Sequence, residues 1–256
     1  AFVDPTDRGL TLCDGVFETI AIKSGRILRL NAHLSRFNHG ASILGIELPM
    51  VDKDLVVALD SVVQANAIND GALRLTLTRG PSLRGLVPPQ MPLPSLIITA
   101  SNNPPDFDAV QCVSAVIVSG TRCNEHSPLS RIKSLNYLDN ILALKEAREK
   151  GAEDALLLNS AGKLTSASSS NLFAVLCGKL VTPPESDGCL GGIMRADIIR
   201  DLNCAEQSFS PLDLAEASEA FLTNCLSVRP LISVDGQAIG DGQIGMITRQ
   251  ATILIL

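Results

Sequence analysis

Lys133 stands in "SRIKSLNYLDNIL", at the end of a loop and just ahead of a stretch with helical spacing. A lysine in such a place is ordinarily a solvated cation. Where apolar neighbours desolvate it, burial lowers its pKa and frees a nucleophilic amine. A second candidate is "CLGGIMR", residues 189–195, which brings Gly191 and Gly192 to the start of a helix. Unpaired N–H groups and the dipole at a helix start favour a phosphate, although a plain loop-to-helix turn also uses glycine. Arg36 in "HLSRF" is another anion candidate, its alternative being a surface ion pair. The stretch "SASSSNLF", residues 166–173, sets hydroxyls and an amide between the apolar runs "DALLLN" and "LFAVLC". By composition alone it reads as a flexible linker. Between two strands, its hydroxyl and N–H groups are also suited to hold the polar edges of a ligand. A nucleophilic lysine together with a phosphate cradle suggests pyridoxal 5′-phosphate (PLP), a cofactor carried as a lysine Schiff base.

The elements that must position these residues can be read from periodicity. Residues 15–30 read as two strands joined by a turn at Ser24-Gly25, and 31–46 as a helix capped by Asn31 with Leu34, Phe37, Ala41 and Leu44 on one face. Residues 51–68 form a second amphipathic helix, and 72–80 and 94–100 read as strands. "SNNPPDFD" marks a stiff connector, with an N-terminal domain over 1–103, a linker at 104–108 and a C-terminal domain over 109–256. The second domain runs strand (109–119), loop (120–132), helix (135–150, stopped by Gly151) and strand (154–159). A turn at Ala161-Gly162 then leads through the serines to two further strands, a helix over 191–202 and closing strands over 219–236. The expected fold class is α/β in the broad sense, α+β with mixed sheets and many antiparallel hairpins.

The totals set bounds on function. The chain has 256 residues, enough for one large or two modest domains. No apolar run reaches the ~18 residues a membrane helix needs, and no signal-peptide pattern opens the chain, which starts without methionine as if a short first segment were missing. Seven cysteines without a Cys-x-x-Cys pair imply reduced thiols in a cytoplasmic protein. Three scattered histidines argue against a metal site, and a net charge of −6 argues against a nucleic-acid surface. The expected partner is a small molecule.

In order along nearly the whole chain, several motifs resemble one family. They are "DRGL…DGVFET" (7–19), "HLSRF" (33–37), "LTRG" (77–80), "KSLNYLDNILA" (133–143), "GAEDALLLNSAGKLTSASSSNLF" (151–173), "GGIMR" (191–195) and "FLTN…VRP" (221–230). The chain is similar to the class IV aminotransferases, PLP enzymes of fold type IV that include branched-chain and D-amino-acid aminotransferases and aminodeoxychorismate lyases. The resemblance implies two domains with the cofactor site between them, and a homodimer. It also implies that Lys133 carries the cofactor and shuttles protons. Arg36 and the N–H groups of Ile193 and Met194, entered through Gly192, match the phosphate grip. Tyr137 matches a tyrosine near the cofactor's phenolic oxygen, and Ser169, Ser170 and Asn171 match a loop beside the pyridine ring.

Two departures stand out. Most members read Thr-Glu-Gly or Thr-Glu-Ala where this chain has Thr165-Ser166-Ala167, so a serine occupies the position of the glutamate that holds the pyridinium proton. A hydroxyl leaves the ring neutral and weakens the electron sink, which disfavours full transamination more than elimination. Cys225 replaces the usual Thr or Ser at the phosphate, and a thiol is a poorer donor. On the substrate side, the Arg-x-His motif of D-amino-acid enzymes is Arg84-Gly85-Leu86 here, and their tyrosine is Phe17. "GIMR" and "TRG…RGL" look more like the lyases, which convert 4-amino-4-deoxychorismate to 4-aminobenzoate and pyruvate on the way to folate. Arg79 and Arg84 are candidates for the substrate carboxylates, or else strand-end charges. The alternatives are an aminotransferase for D-amino or branched-chain acids, and a PLP-binding protein with little turnover.

Overall fold

The computed structural model describes residues 2–102 and 110–255. They fall into two compact units, Ala1–Pro105 with Ile132–Asn136, and Asp106–Arg131 with Tyr137–Leu256. The connector expected at 104–108 lies outside the described residues. Residues 132–136, expected in the C-terminal domain, group with the first unit instead. The reason is backbone pairing: Ser134 bridges Val16 antiparallel, Phe17 N–H donates to the Lys133 carbonyl (2.9 Å), and Leu135 N–H donates to the Gly15 carbonyl (3.0 Å).

The first unit runs α1 (Arg8–Leu12), β1 (Gly15–Lys23), β2 (Arg26–Ile27), α2 (Leu30–Leu44), α3 (Asp52–Ala65), β3 (Gly71–Thr78) and β4 (Ser95–Ser101). Its sheet has the order β2-β1-β3-β4, antiparallel throughout. Ser24 and Gly25 both have positive φ (50° and 71°), the backbone of a two-residue hairpin whose twist matches the flanking strands. The core takes Leu34, Phe37 and Ala41 from α2 and Leu55, Leu59 and Val63 from α3, spaced at three and four residues so that one face of each helix is buried. The Asn31 cap needs correction. The helix begins at Leu30, and the cap is Arg29, left-handed at φ 52° and without a side-chain cap bond.

The second unit runs β5 (Val113–Ile117), α4 (Leu138–Glu149), β6 (Asp154–Leu158), β7 (Leu164–Ala167), β8 (Asn171–Leu176), β9 (Lys179–Thr182), α5 (Ile193–Asp201), β10 (Ala205–Glu206), α6 (Pro211–Ala215), β11 (Glu219–Asn224), β12 (Ser227–Val234), β13 (Gln237–Ala238) and α7 (Met246–Ile253). Its sheet closes on itself. β8, β11, β12, β5, β6 and β7 pair in sequence, and β7 returns to β8 through Ser166 opposite Asn171. β5 lies parallel to both β12 and β6, and the other ring pairs are antiparallel. The ring buries Val113, Leu156, Leu164, Leu172, Leu222 and Leu231, which alternate with polar or outward-facing positions as closure requires. Helix α4 starts at Leu138 rather than 135, because 133–135 are extended beside β1.

Candidate active site

Lys133 is half-buried, and its Nζ lies 4.4 Å from the centroid of the Phe17 ring. Phe17 is itself 7% exposed, so the amine sits against an aromatic face that both desolvates and attracts it. The Arg74 Cζ lies 3.9 Å from the same centroid, which sets two cations about one ring.

Successive residues of β1 project to opposite faces, so Glu18 points away from Phe17. Glu18 is fully buried and meets α2, where His33 and Arg36 share a face by their three-residue spacing. Arg36 donates Nε–H to Oε1 (2.7 Å) and Nη2–H to Oε2 (2.6 Å), and His33 Nδ1 lies 2.7 Å from Oε2. Burial pushes the Glu18 carboxyl up, but the bonds and charge of Arg36, with the His33 bond, outweigh it and hold it below the usual range. Burial, together with the charges of Arg36 and Lys133, lowers His33 against the raising effect of Glu18, which favours a neutral imidazole with its Nδ1–H toward Glu18.

Arg79 and Arg84 separate. Arg79 is buried and its guanidinium is committed: Nε–H and Nη2–H donate to Asp14 (2.8 and 3.1 Å), Nη2–H to the Leu44 carbonyl (2.6 Å) and Nη1–H to the Gly45 carbonyl (3.0 Å). It ties the end of α2 to the start of β1 and is a structural arginine, which differs from its place as a substrate candidate. Arg84 is exposed, on the loop after β3.

In the second unit the serine stretch is a tight hairpin. β7 ends at Ala167, β8 starts at Asn171, and Ala167 N–H donates to the Ser170 carbonyl (2.8 Å). The hydroxyls are fastened to the ring. Ser168 Oγ–H donates to the buried Asp154 (2.6 Å), which Arg229 also engages. Ser170 Oγ accepts from Asn224 Nδ2–H (3.2 Å), and Asn140 Nδ2–H donates to the Ser168 carbonyl (2.8 Å). Ser169 is exposed, and its carbonyl accepts from Asn224 (3.4 Å). Ser166 is half-buried, and no side-chain hydrogen bond joins it to another described residue.

The same hairpin leads to the glycines. Asn171 Nδ2–H donates to the Leu190 carbonyl (2.8 Å), and a methyl group on Gly192 would lie 2.0 Å from Asn171 Oδ1. One on Gly191 would lie 2.6 Å from Glu185 Oε1. Gly192 caps α5 and has no side chain of its own to bond the first N–H groups, those of Ile193 and Met194. Cys225 is half-buried at the tip of the β11–β12 hairpin, and Tyr137 is half-buried at the cap of α4. Among the described residues no cluster of His, Cys, Asp and Glu could hold a metal, and none of the seven cysteines forms a disulfide.

The family model for amino-transferase class IV matches residues 15–234. This chain belongs to that family. As a class IV enzyme it depends on PLP, and it has the fold of type IV PLP enzymes. It is 32% identical to a D-alanine aminotransferase of Bacillus licheniformis, covering 96% of this chain and 88% of that one. Among solved structures, the branched-chain amino acid aminotransferase of Escherichia coli superposes with a TM-score of 0.92 at 26% identity, over 98% of this chain and 87% of that one. The 4-amino-4-deoxychorismate lyase of Pseudomonas aeruginosa superposes with a TM-score of 0.86 at 30% identity, over 100% of this chain and 94% of that one.

The residues present fit this cofactor. In the second unit the glycines leave space at the start of α5 that a Cβ would fill, and in the first unit the lysine is backed by an aromatic ring. Glu18, His33, Arg74, Asp154 and Arg229 were not singled out from sequence. The His33–Arg36 spacing was a legible signal for the first two, because a buried carboxylate has to answer two basic groups on one helical face. For Arg229 and Asp154, 75 positions apart, no local signal exists.

Proposed function

We propose that this enzyme is a PLP-dependent lyase that converts 4-amino-4-deoxychorismate to 4-aminobenzoate and pyruvate, a step toward folate. The observation that carries the reading is Ser166, a neutral hydroxyl with no partner among the described residues where the family's usual motif has glutamate. When bound, PLP supplies an electron sink next to the substrate nitrogen. Without a carboxylate to keep its ring protonated, that sink is weak. An elimination that ends in an aromatic ring supplies its own driving force and tolerates a weak sink better than a reversible transamination does.

In this reading Lys133 binds the cofactor and moves the ring proton of the substrate, with Phe17 keeping water from its amine. Arg36, held in orientation by Glu18, takes the phosphate together with the N–H groups of Ile193 and Met194 behind Gly192, and Cys225 adds a weak thiol donor. Tyr137, Ser166, Ser169, Ser170 and Asn171 border the pyridine ring. Arg74 and Arg84 receive substrate carboxylates, Arg74 being the better supported because it shares the Phe17 ring with Lys133. A homodimer is part of the proposal. Leu138, Ile141 and Leu142 of α4 are large apolar side chains left in water, as an interface would use.

The test is 4-aminobenzoate formation from freshly generated 4-amino-4-deoxychorismate, with PLP present and no keto acid. Multiple turnovers establish the lyase. No product from protein yellow with PLP, together with amino-group transfer to a keto acid, establishes the aminotransferase reading, which the likeness to the D-alanine aminotransferase favours. Retained cofactor with neither reaction leaves a PLP-binding protein. Light scattering at the mass of one chain, with activity intact, overturns the dimer.

A further inference from the structure

Loop 82–87 carries Arg84, and its side chains have almost no core of their own. Leu83, Leu86 and Val87 are 92%, 80% and 84% exposed. At its root the loop is held by the Asp7–Pro81 bridge and by Ser82 N–H donating to the Thr6 carbonyl (3.2 Å). Past the root, among the described residues, the side-chain hydrogen bonds to it come from Arg8. Arg8 Nη1–H donates to the Gly85 carbonyl (3.0 Å) and Nη2–H to the Leu86 carbonyl (2.9 Å). The remaining edge of the guanidinium is fixed by Asp14, which accepts Nε–H at 2.7 Å. Asp14 is in turn fixed by Arg79, so the chain of contacts runs from the end of α2 through Asp14 to the loop. Arg8 is 5% exposed, so the guanidinium end of this grip is buried.

We propose that Arg8 is a positioning residue that clamps the Arg84 loop and thereby sets the affinity for an anionic substrate. The mechanical half rests on these contacts alone. The consequence for substrate rests on the function proposed above. A guanidinium suits the task because its planar fork reaches a carboxylate on one edge and two carbonyls on the other. An ammonium at the end of a lysine keeps the charge against Asp14 and loses the fork.

The probe is tryptic cleavage of the Arg84–Gly85 bond in the full chain, read by fragment mass, for wild type, Arg8→Lys and Arg8→Met. Both variants are expected to be cut there about tenfold faster or more, since the opening of a local segment becomes easier once its buried bonds are lost. KM for the carboxylate substrate should rise severalfold, with kcat held within about twofold. Wild-type cleavage rates in both variants overturn the clamp, and so does a rise in step at every other cleavage site, which marks general loosening. Faster cleavage with an unchanged KM overturns the link to substrate. If wild-type protein performs neither elimination nor transamination, the functional reading fails and takes the substrate link with it, while the cleavage rates still decide the clamp.

Discussion

Glu18 holds Arg36 by one edge of its guanidinium, through Nε–H and Nη2–H at 2.7 and 2.6 Å, from a position with no exposure to water. A two-bond pair of this kind fixes the plane of the guanidinium as well as its place. Glu18→Gln keeps the shape and removes the charge. It is predicted to weaken PLP binding by roughly tenfold or more, in line with the ~1.5–3 kcal/mol of a charged hydrogen bond. Titration of cofactor-free protein with PLP, followed by absorbance, measures this. Unchanged affinity in a variant that folds normally would show that Arg36 does not depend on Glu18 for its orientation.

The same cluster predicts a pH dependence of stability. His33 is held below its ordinary value of 6.5 in the folded protein, so the unfolded chain takes up the proton first as pH falls. Its contribution is complete above about 6.5 and is lost as pH drops below that value. Glu18, held below 4.5, has the same sign, its contribution being complete above about 4.5 and lost as pH falls toward its lower folded value. The thermal midpoint should therefore fall between about pH 7 and about pH 5. His33→Gln should flatten that slope. An equal slope in variant and wild type would assign the loss to other groups.

Arg74 and Arg79 lie five positions apart and should fail in different ways. Arg79→Ala leaves Asp14 with one partner and the end of α2 without its donors, and should cost about 2–4 kcal/mol of stability. Arg74→Ala touches an exposed side chain and should leave the thermal midpoint nearly unchanged while raising KM for a carboxylate substrate. Denaturant melts paired with steady-state kinetics separate the two. The opposite pattern would return Arg79 to the substrate.

Gly192→Ala tests the cradle. The added methyl would overlap Asn171 Oδ1 at 2.0 Å, so either the hairpin or the start of α5 has to move. Affinity for PLP should drop by about an order of magnitude, and Asn171→Ala placed in the same chain should restore part of it by removing the obstructing oxygen. A double variant no better than the single one would mean that the loss arises elsewhere.

What sequence could show follows from what is local. The helices of the first unit were legible because burial on one face imposes spacing, as at Leu55, Leu59 and Val63. The Ser24-Gly25 hairpin was legible because few residue pairs take two positive φ angles. The ring of the second unit was not, since it depends on β5 lying between β6 and β12, strands far apart in the chain. The partner of Arg79 was not legible for the same reason: Asp14 lies 65 positions away, and nothing near Arg79 announces it. The short helix α6 was overlooked despite a local signature, Ser210 and Asp213 each capping the other's backbone. The serine row was half legible. Its apolar flanks argued against a linker, but its use of hydroxyls to fasten a hairpin to Asp154 and Asn224 depends on contacts that only the fold creates.

Ser166 makes the sharpest prediction. It occupies the one residue pair that closes the ring, opposite Asn171, so its side chain has a fixed direction. Ser166→Glu puts a carboxylate where the family's usual motif has one, and should favour the protonated pyridine ring. The amino-transfer half-reaction with D-alanine or leucine should then rise by about tenfold or more, because a stronger sink lowers the barrier to proton removal. The elimination should change less, since aromatisation already drives it. Both rates can be read on one preparation, amino transfer by the loss of yellow colour and elimination by 4-aminobenzoate. A variant that binds PLP normally and gains nothing in amino transfer would sever the link between Ser166 and reaction choice.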